Sequence, residues 1–157
     1  MTAIDPRAFR DTVGHYAAGI TIIASVHCDE PVGFTCQSFY SVSLDPPLVS
    51  FSVKHDSTSY PRIRETGRFA VNVLARPQQE LSSQFSRSGA DKWAGVRWSR
   101  TPKRNPAIDD CLVWLDCTIE DEHPAGDHLI VIGRVEGAGP PERGGGEPLL
   151  YFRGGYR

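Results

Sequence analysis

Two strand-like segments separated by a four-residue turn constrain the fold of this chain more than any other feature of its sequence. Residues 111–123, CLVWLDCTIEDEH, predict a long strand, and residues 128–138, HLIVIGRVEGA, predict the strand that returns after the turn PAGD. A second pair of segments, ITIIASV and VGFTCQSF, is joined in the same way by HCDEP. Connections this short favour antiparallel pairing, because a parallel pair needs a long crossover segment.

The other segments indicate a mainly β domain with short flanking helices. Further strands are predicted at residues 46–54, 68–74 and 149–157, which makes six or seven in all. Helices are predicted at residues 6–19, 57–67 and 76–89, and each of them ends at a glycine. Because the pattern lacks a β-α-β rhythm, it is typical of an antiparallel barrel or sandwich.

Two connections have neither a strand nor a helix pattern. The longer one covers residues 90–110, and its Trp93 and Trp98 argue against disorder. Ordered loops of that length inside a compact domain are usually functional. The other connection, PPERGGGEP at residues 140–148, is predicted to be a surface loop.

The composition narrows the class of protein. The 157 residues fit one domain, 1–157, and the net charge of −2 gives no reason to expect nucleic acid or a membrane as partner. No apolar run approaches the roughly 20 residues that span a bilayer, and the N-terminal residues have no apolar signal core. We therefore expect a cytoplasmic protein. Its four cysteines have no C-x-x-C spacing and are expected to be free, mostly buried thiols.

Several familiar catalytic and nucleotide-binding motifs are missing from the sequence. No G-x-G-x-x-G follows a strand and no P-loop occurs, which argues against a doubly wound nucleotide fold. The G-x-S-x-G motif of serine hydrolases is absent, and Cys36 has no base near it in sequence. His123 and His128 flank the PAGD turn, but two ligands are too few for a metal site. Asp127 beside His128 suggests either a carboxylate that orients an imidazole or a solvated hairpin tip.

Two polar stretches are candidates for ligand binding. Ser57 and Thr58 start the second predicted helix, where free N–H groups and two hydroxyls suit a phosphate; helix capping by Ser57 is the alternative. Residues 35–43 combine short hydroxyl side chains with a predicted strand. If that strand lies beside residues 46–54, its hydroxyls and backbone N–H groups would suit a flat heteroaromatic ring. The alternative is a polar strand edge that faces water.

Seven segments together resemble the flavin reductase-like family of FMN-binding split barrels, from about Phe9 to Arg157. They occur in the family's order, and the set is specific because any one of them alone would be a weak signal. The segments are GHYAAGITIIAS, PVGFTCQSFYSVSLDPPLVSFSV, STSYPRIRETGRFAVNVL, LSSQFS, DKWAGV, AGDHLIVIGRV and PLLYFRGGYR.

The resemblance implies an antiparallel Greek-key split barrel that works as a homodimer. It also implies that a flavin, FMN or FAD, is bound in a groove and reduced by NADH or NADPH. The reduced flavin would then pass to a partner oxygenase, as in two-component flavin-dependent monooxygenases. On this interpretation the protein is an NAD(P)H-dependent flavin reductase.

The resemblance further assigns site residues by position. Along the flavin ring it assigns Thr35, Cys36, Gln37, Ser38, Ser41, Val42 and Ser43, and toward the phosphate end Ser52, Val53 and Lys54. It assigns the phosphate to Ser57 and Thr58, and a region near the flavin to Phe85, Lys92 and Trp93. The nicotinamide side is assigned to His128, Tyr156 and Arg157, with His128 as the catalytic residue. No metal is implied.

Some alternatives stay open at the level of the sequence. Cys36 and Gln37 depart from the usual TANSF or TASSF pattern, which leaves FMN and FAD undecided. NADH is favoured over NADPH, because no basic pair marks a site for a 2′-phosphate. One rival function is a split-barrel protein that binds flavin or haem without turnover. Another is a pyridoxamine-phosphate oxidase-like enzyme, for which the sequence offers no extra basic cluster.

Overall fold

The computed structural model of the chain describes residues 2–140 and 146–157, so residues 141–145 of the predicted surface loop lie outside the described residues. The helices are α1 (Pro6–Val13), α2 (Tyr60–Thr66) and α3 (Gln79–Phe85), and a 3₁₀ turn, Arg76–Gln78, precedes α3. The strands are β1 (Ala18–Gly19), β2 (Thr21–His27), β3 (Glu30–Cys36), β4 (Tyr40–Leu44), β5 (Pro47–Lys54), β6 (Arg68–Val73), β7 (Trp98–Arg100), β8 (Pro106–Ile108), β9 (Val113–Ala125), β10 (His128–Gly139), β11 (Leu150–Phe152) and β12 (Gly155–Tyr156). Within the described ranges, no helix has the length and apolar character needed to cross a membrane.

Seven strands form one antiparallel sheet in the order β3-β2-β6-β9-β10-β5-β4. Both predicted hairpins are present, since β2 pairs with β3 and β9 pairs with β10. The mainly β, antiparallel fold class is therefore confirmed.

One serine joins strands from opposite ends of this sheet order. Ser38 follows β3, and its hydroxyl accepts a hydrogen bond from the Ser52 N–H at 2.8 Å and donates one to the Ser52 carbonyl at 3.1 Å. Ser52 belongs to β5. The sheet is thus a partly closed barrel. We call the place where the chain after β3 meets β5, through Ser38 and Ser52, the seam of the barrel, and the polar stretch at residues 35–43 begins there.

Strand β2 separates two hydrophobic clusters. Successive side chains of a strand point to opposite faces. Ile23 accordingly belongs to one cluster with Phe51 and Phe69, whereas Ile22 belongs to the other with Phe85. Burial of both faces explains why this segment is so rich in apolar residues.

The first helix is shorter than predicted. Asp5 caps α1 by accepting a hydrogen bond from the Ala8 N–H at 2.9 Å, and Gly14 rather than Gly19 follows its last residue. Residues 18–19, which were predicted to be helical, instead form β1 because they pair with β11. No residue of α1 is buried.

Three other boundaries differ from the sequence prediction. Within the predicted loop at residues 90–110, β7 pairs with β8, and the Ile108 N–H donates to Asn72 Oδ1 at 2.8 Å. Buried polar anchoring of this kind has no local sequence signal. Helix α3 ends at Phe85 rather than at Gly89, and the C-terminal segment forms a small hairpin, β11 and β12, instead of one strand.

The cysteine prediction is confirmed. All four cysteines are free, and only Cys28 is exposed. Burial raises the pKa of Cys111 to about 11 and that of Cys117 to about 12. These two thiols therefore stay protonated near neutral pH.

Candidate functional site

The predicted ring-binding residues of β3 lie at the barrel seam. Cys36 is buried, and its sulfur lies 3.2 Å from the Ser38 hydroxyl that reaches Ser52. Burial raises the pKa of the Cys36 thiol, so the thiol is neutral and unsuited to nucleophilic attack. Gln37 and Ser38 are exposed and lie outside the strand ladder, between β3 and β4. The seam thus presents short polar groups on a surface whose backbone is fixed by Ser38.

Thr35 and Tyr156 are brought to the same residue of α3. The Thr35 hydroxyl donates to the Ser82 carbonyl at 2.7 Å, and the Ser82 hydroxyl lies 2.9 Å from the Tyr156 hydroxyl. Tyr156 also packs edge-on against Tyr151, with the ring centroids 5.3 Å apart. The C-terminal hairpin is therefore held beside the β3 end of the site. Nothing in the local sequence around Ser82 predicts this role.

His128 lies next to Lys54 in the sheet, because the first residue of β10 pairs with the last residue of β5. Its Nδ1 is 2.6 Å from a carboxylate oxygen of Asp127, as the sequence suggested. The pKa of Asp127 is lowered by this hydrogen bond and by the charge of His128. An ionised carboxylate only accepts hydrogen bonds, so Nδ1 carries the proton and Nε2 is left for a ligand.

His55 supports the turn that carries this pair. Its backbone N–H donates to the Asp127 carbonyl at 3.1 Å, and its ring Nε2 lies 3.1 Å from the Gly126 carbonyl. Nothing in the sequence around His55 indicates these contacts. The partners are more than 70 residues away in the chain, which is why pattern analysis missed them.

The predicted phosphate segment has a different local structure from the one expected. Helix α2 begins at Tyr60, and the Ser57 hydroxyl accepts a hydrogen bond from the Tyr60 N–H at 3.2 Å. Ser57 is half-buried and Thr58 is exposed. Lys92 joins this segment, since its Nζ lies 3.3 Å from the Ser59 hydroxyl and 3.5 Å from the Gly33 carbonyl. Burial lowers the pKa of Lys92.

The segment DKW, residues 91–93, is held against β3 by aromatic packing. Trp93 meets Phe85 edge-on, with centroids 4.8 Å apart, and Phe85 is fully buried. A Cβ at Gly33 would lie 2.8 Å from the Ile23 carbonyl oxygen and 3.2 Å from Trp93 Cζ2, so only glycine permits this approach. Phe85 is thus a core residue that supports Trp93 from beneath.

The remaining assigned residues lie at the margins of this group. Ser41 and Ser43 pair with Val49 and Leu48 of β5, and Val42 occupies the irregularity between them. Arg157 closes the C-terminal hairpin by exchanging two backbone hydrogen bonds with Leu150. No cluster of three or more potential metal ligands occurs among residues 2–140 and 146–157.

Helix α2, which follows the predicted phosphate segment, carries a basic residue that is engaged elsewhere. Arg64 binds both carboxylate oxygens of Glu122, with its Nη2 2.7 Å from Oε2, and its guanidinium lies over the Tyr60 ring. The hydrogen bond from Arg64 is the main cause of a lowered pKa for Glu122. Arg64 therefore fastens α2 to β9 and is not available to an anion.

This ion pair makes stability depend on pH. Replacing Glu122 with glutamine is expected to lower the free energy of unfolding at neutral pH by about 1 kcal/mol. Because the folded-state pKa is lowered, the stabilisation is complete above the unfolded pKa of about 4.3 and is lost as pH falls through the lowered folded value. Urea denaturation of both proteins from pH 7 to pH 3 measures the difference, with Glu30→Gln as an exposed control. A difference that stayed constant over this range would contradict the prediction.

The sequence profile of the flavin reductase like domain matches residues 13–157. The reductase subunit HsaB of a flavin-dependent monooxygenase from Mycobacterium tuberculosis is 44% identical over 153 residues, which cover 98% of this chain and 82% of that protein. The crystal structure of nitrilotriacetate monooxygenase component B from Mycobacterium thermoresistibile has a TM-score of 0.93 at 44% identity, covering 96% of this chain and 84% of the other. The NADH:FAD oxidoreductase SgcE6 from Streptomyces globisporus, in complex with NAD and FAD fragments, has a TM-score of 0.88 at 32% identity, covering 100% of this chain and 96% of the other.

These relationships extend over nearly the whole chain, and they agree with the antiparallel, partly closed barrel. They also include the segments on which the resemblance was based, from the seam residues to the C-terminal hairpin. The chain belongs to the flavin reductase-like family.

Proposed function

We propose that this chain is the reductase component of a two-component flavin-dependent monooxygenase. It reduces FMN or FAD with NADH or NADPH and releases the reduced flavin to a partner oxygenase. The observation that carries the proposal is the family match over residues 13–157. Two relatives support it by name, since HsaB is a monooxygenase reductase subunit and SgcE6 is an NADH:FAD oxidoreductase.

The donors around Lys92 fit the phosphate of a flavin nucleotide. Lys92 is half-buried, and within the described part of the chain it forms no ion pair. A cation in that position is stabilised by a nearby anion. The segment that it contacts through Ser59 also carries the hydroxyls of Ser57 and Thr58. We assign the phosphate to these two hydroxyls and the Lys92 ammonium.

The seam residues suit the flavin ring. A bound flavin would supply the hydride-accepting ring, and the chain would supply shape and hydrogen-bond donors. Residues 35–38 and 52–54 meet through Ser38 and Ser52, where short side chains let backbone approach a planar ligand. Donors aimed at the ring edge stabilise negative charge that develops during reduction. Cys36 and Val53 are buried and would contribute through their backbone, and Phe85 through its packing beneath Trp93.

His128 is assigned to the nicotinamide. Asp127 fixes the imidazole through Nδ1, which leaves Nε2 to hold the nicotinamide at the short distance that hydride transfer needs. Tyr156 and Arg157 are assigned to the same ligand because the C-terminal hairpin is tied to Thr35 through Ser82. His128 would act by positioning, since the reaction needs no proton from the protein.

Steady-state kinetics with both nucleotides and with FMN, FAD and riboflavin test this function. The purified protein is expected to oxidise NADH in the presence of a flavin, and to use NADPH less efficiently. Failure to oxidise either nucleotide with any of the three flavins would contradict the proposal. A coloured protein without turnover would instead support the storage or carrier function.

We also propose that the protein is a homodimer. Strand β4 lies at an edge of the main sheet, and it exposes 66% of Tyr40, 47% of Val42 and 90% of Leu44. Helix α1 exposes Phe9 and Val13 as well. Exposed apolar groups of this size on an edge strand are typical of an interface between subunits.

Replacing Leu44 with glutamate is expected to weaken the dimer at least about tenfold, because the change buries a charge at the interface. Sedimentation or light scattering over a range of protein concentrations measures the dissociation constant. Ala90→Glu adds the same charge at another exposed position and is expected to leave the dimer unchanged. A wild-type protein that is monomeric at micromolar concentration would contradict the assignment.

A further inference from the structure

A basic pocket lies at the end of the barrel where β2 turns into β3. Its volume is about 460 Å³, and four cationic side chains line it: Arg68, Arg100, Lys103 and Arg104. Asp29 is the one carboxylate in the lining, so the formal charge of the pocket is four minus one, or +3. The whole chain carries −2. The pocket is therefore positively charged, although the chain as a whole carries a negative charge.

Most of this positive charge has no partner in the described residues. Lys103 pairs with Glu136 at 3.0 Å, outside the lining. Arg68, Arg100 and Arg104 form no ion pair within residues 2–140 and 146–157, and the Arg100 guanidinium lies over the Trp98 ring. Guanidinium groups bind phosphate oxygens in a bidentate manner and are the usual choice for that ligand.

A buried carboxylate holds the loop that presents two of these cations. Asp116 is 1% exposed, and it accepts hydrogen bonds from the Thr101 hydroxyl at 2.6 Å, the Asn105 side-chain amide at 3.0 Å and the Lys103 N–H at 3.1 Å. Arg104 has a φ of 68°, in the left-handed region. Because Asp116 ties down both ends of the loop, Lys103 and Arg104 face the pocket without a large ordering cost on binding.

The pocket is separate from the proposed flavin site. In the β2–β3 hairpin, His27 pairs with Glu30 near the pocket, and Thr21 pairs with Cys36 near the seam. The two pairs lie six residue steps apart along each strand, which corresponds to about 20 Å. None of the residues assigned to flavin or nicotinamide lines the pocket.

We propose that the basic pocket binds a small ligand that carries a diphosphate or a longer polyphosphate. The volume lies within the range of small-molecule sites, roughly 300–1,000 Å³. Three guanidinium groups without carboxylate partners suit two adjacent phosphoryl groups better than a single carboxylate. The proposal does not depend on flavin reduction, because the pocket lies at the end of the barrel opposite the seam.

Calorimetric titration at low ionic strength with inorganic pyrophosphate, with ADP and with AMP tests the proposal. Pyrophosphate and ADP are expected to bind, and AMP is expected to bind more weakly than either. If ADP binds more tightly than pyrophosphate, the ligand is a nucleoside diphosphate. If the two bind equally, the pocket recognises the free anion. The Arg68→Gln/Arg104→Gln protein is expected to bind pyrophosphate at least about tenfold more weakly. Arg7→Gln/Arg10→Gln removes the same charge from α1 and is expected to bind as the wild type does. Equal losses in both double variants, or no binding to the wild type, would overturn the proposal.

Cys28 provides a second measurement, because it lines the pocket and is the exposed thiol. Iodoacetate and iodoacetamide differ mainly in charge, and both alkylate a thiolate with loss of iodide. The pocket is expected to favour iodoacetate, and pyrophosphate is expected to slow the alkylation of Cys28. Both effects should disappear in the Arg68→Gln/Arg104→Gln protein, with Cys28→Ser as the blank. If the preference for iodoacetate survives the double substitution, the proposal that this pocket binds anions is contradicted. Thermal melting checks that the variants are folded.

Discussion

The His128→Ala variant is expected to lose about 10- to 100-fold in kcat/KM for NADH while its dissociation constant for flavin stays nearly unchanged. The imidazole is held by Asp127 at 2.6 Å and lies beside Lys54 at the end of β5, so it is fixed before any ligand binds. Removing a positioning group leaves the flavin contacts at the seam in place. Stopped-flow reduction and flavin titration measure the two quantities separately.

His123→Ala is the matched control for this prediction. His123 lies on the other arm of the same hairpin, is exposed and contacts Asp121 rather than the site residues. Its replacement is expected to leave both quantities unchanged. If flavin affinity collapses in His128→Ala while nicotinamide use is preserved, the role assigned to His128 is wrong.

Phe51→Ala is expected to lower the free energy of unfolding by about 3–5 kcal/mol. Phe51 is fully buried at the centre of an aromatic group, with ring centroids 5.1 Å from Phe69, 5.9 Å from Phe34 and 6.0 Å from Tyr60. These neighbours come from three other elements, so they cannot all move to fill the cavity. The cost therefore includes the lost burial and a residual cavity.

Urea denaturation measures this loss as a lower midpoint with an unchanged slope. Ile4→Ala, at an exposed position before α1, is expected to change the free energy of unfolding by less than about 0.5 kcal/mol. A loss below about 1.5 kcal/mol for Phe51→Ala would mean that the aromatic group repacks around the cavity.

The sequence was sufficient to predict the elements that depend on neighbouring residues. The PAGD and HCDEP turns predicted two antiparallel hairpins, and both are present as β9–β10 and β2–β3. The ordered motifs predicted the family, which the profile match confirms. These predictions succeed because turn chemistry and side-chain alternation act within a few residues of the chain.

Predictions that needed distant partners were less successful. Residues 18–19 were predicted as helix and are a strand, because their pairing partners lie in the C-terminal segment. The hairpin of β7 and β8 was missed, since Asn72 anchors it from β6. The roles assigned to the flavin and nicotinamide residues remain predictions from the family motif.

By itself, the amino-acid sequence determined the antiparallel pairing, the buried strands and the membership of the family. Only the tertiary structure decided which polar side chains meet, as in the contacts from Thr35 through Ser82 to Tyr156. The basic pocket is a clear case, because Arg68 lies 32 residues before Arg100 in the sequence, and only the fold brings it beside Arg100, Lys103 and Arg104. Sheet order and curvature bring them together, and neither quantity can be read from the spacing of residues along the chain.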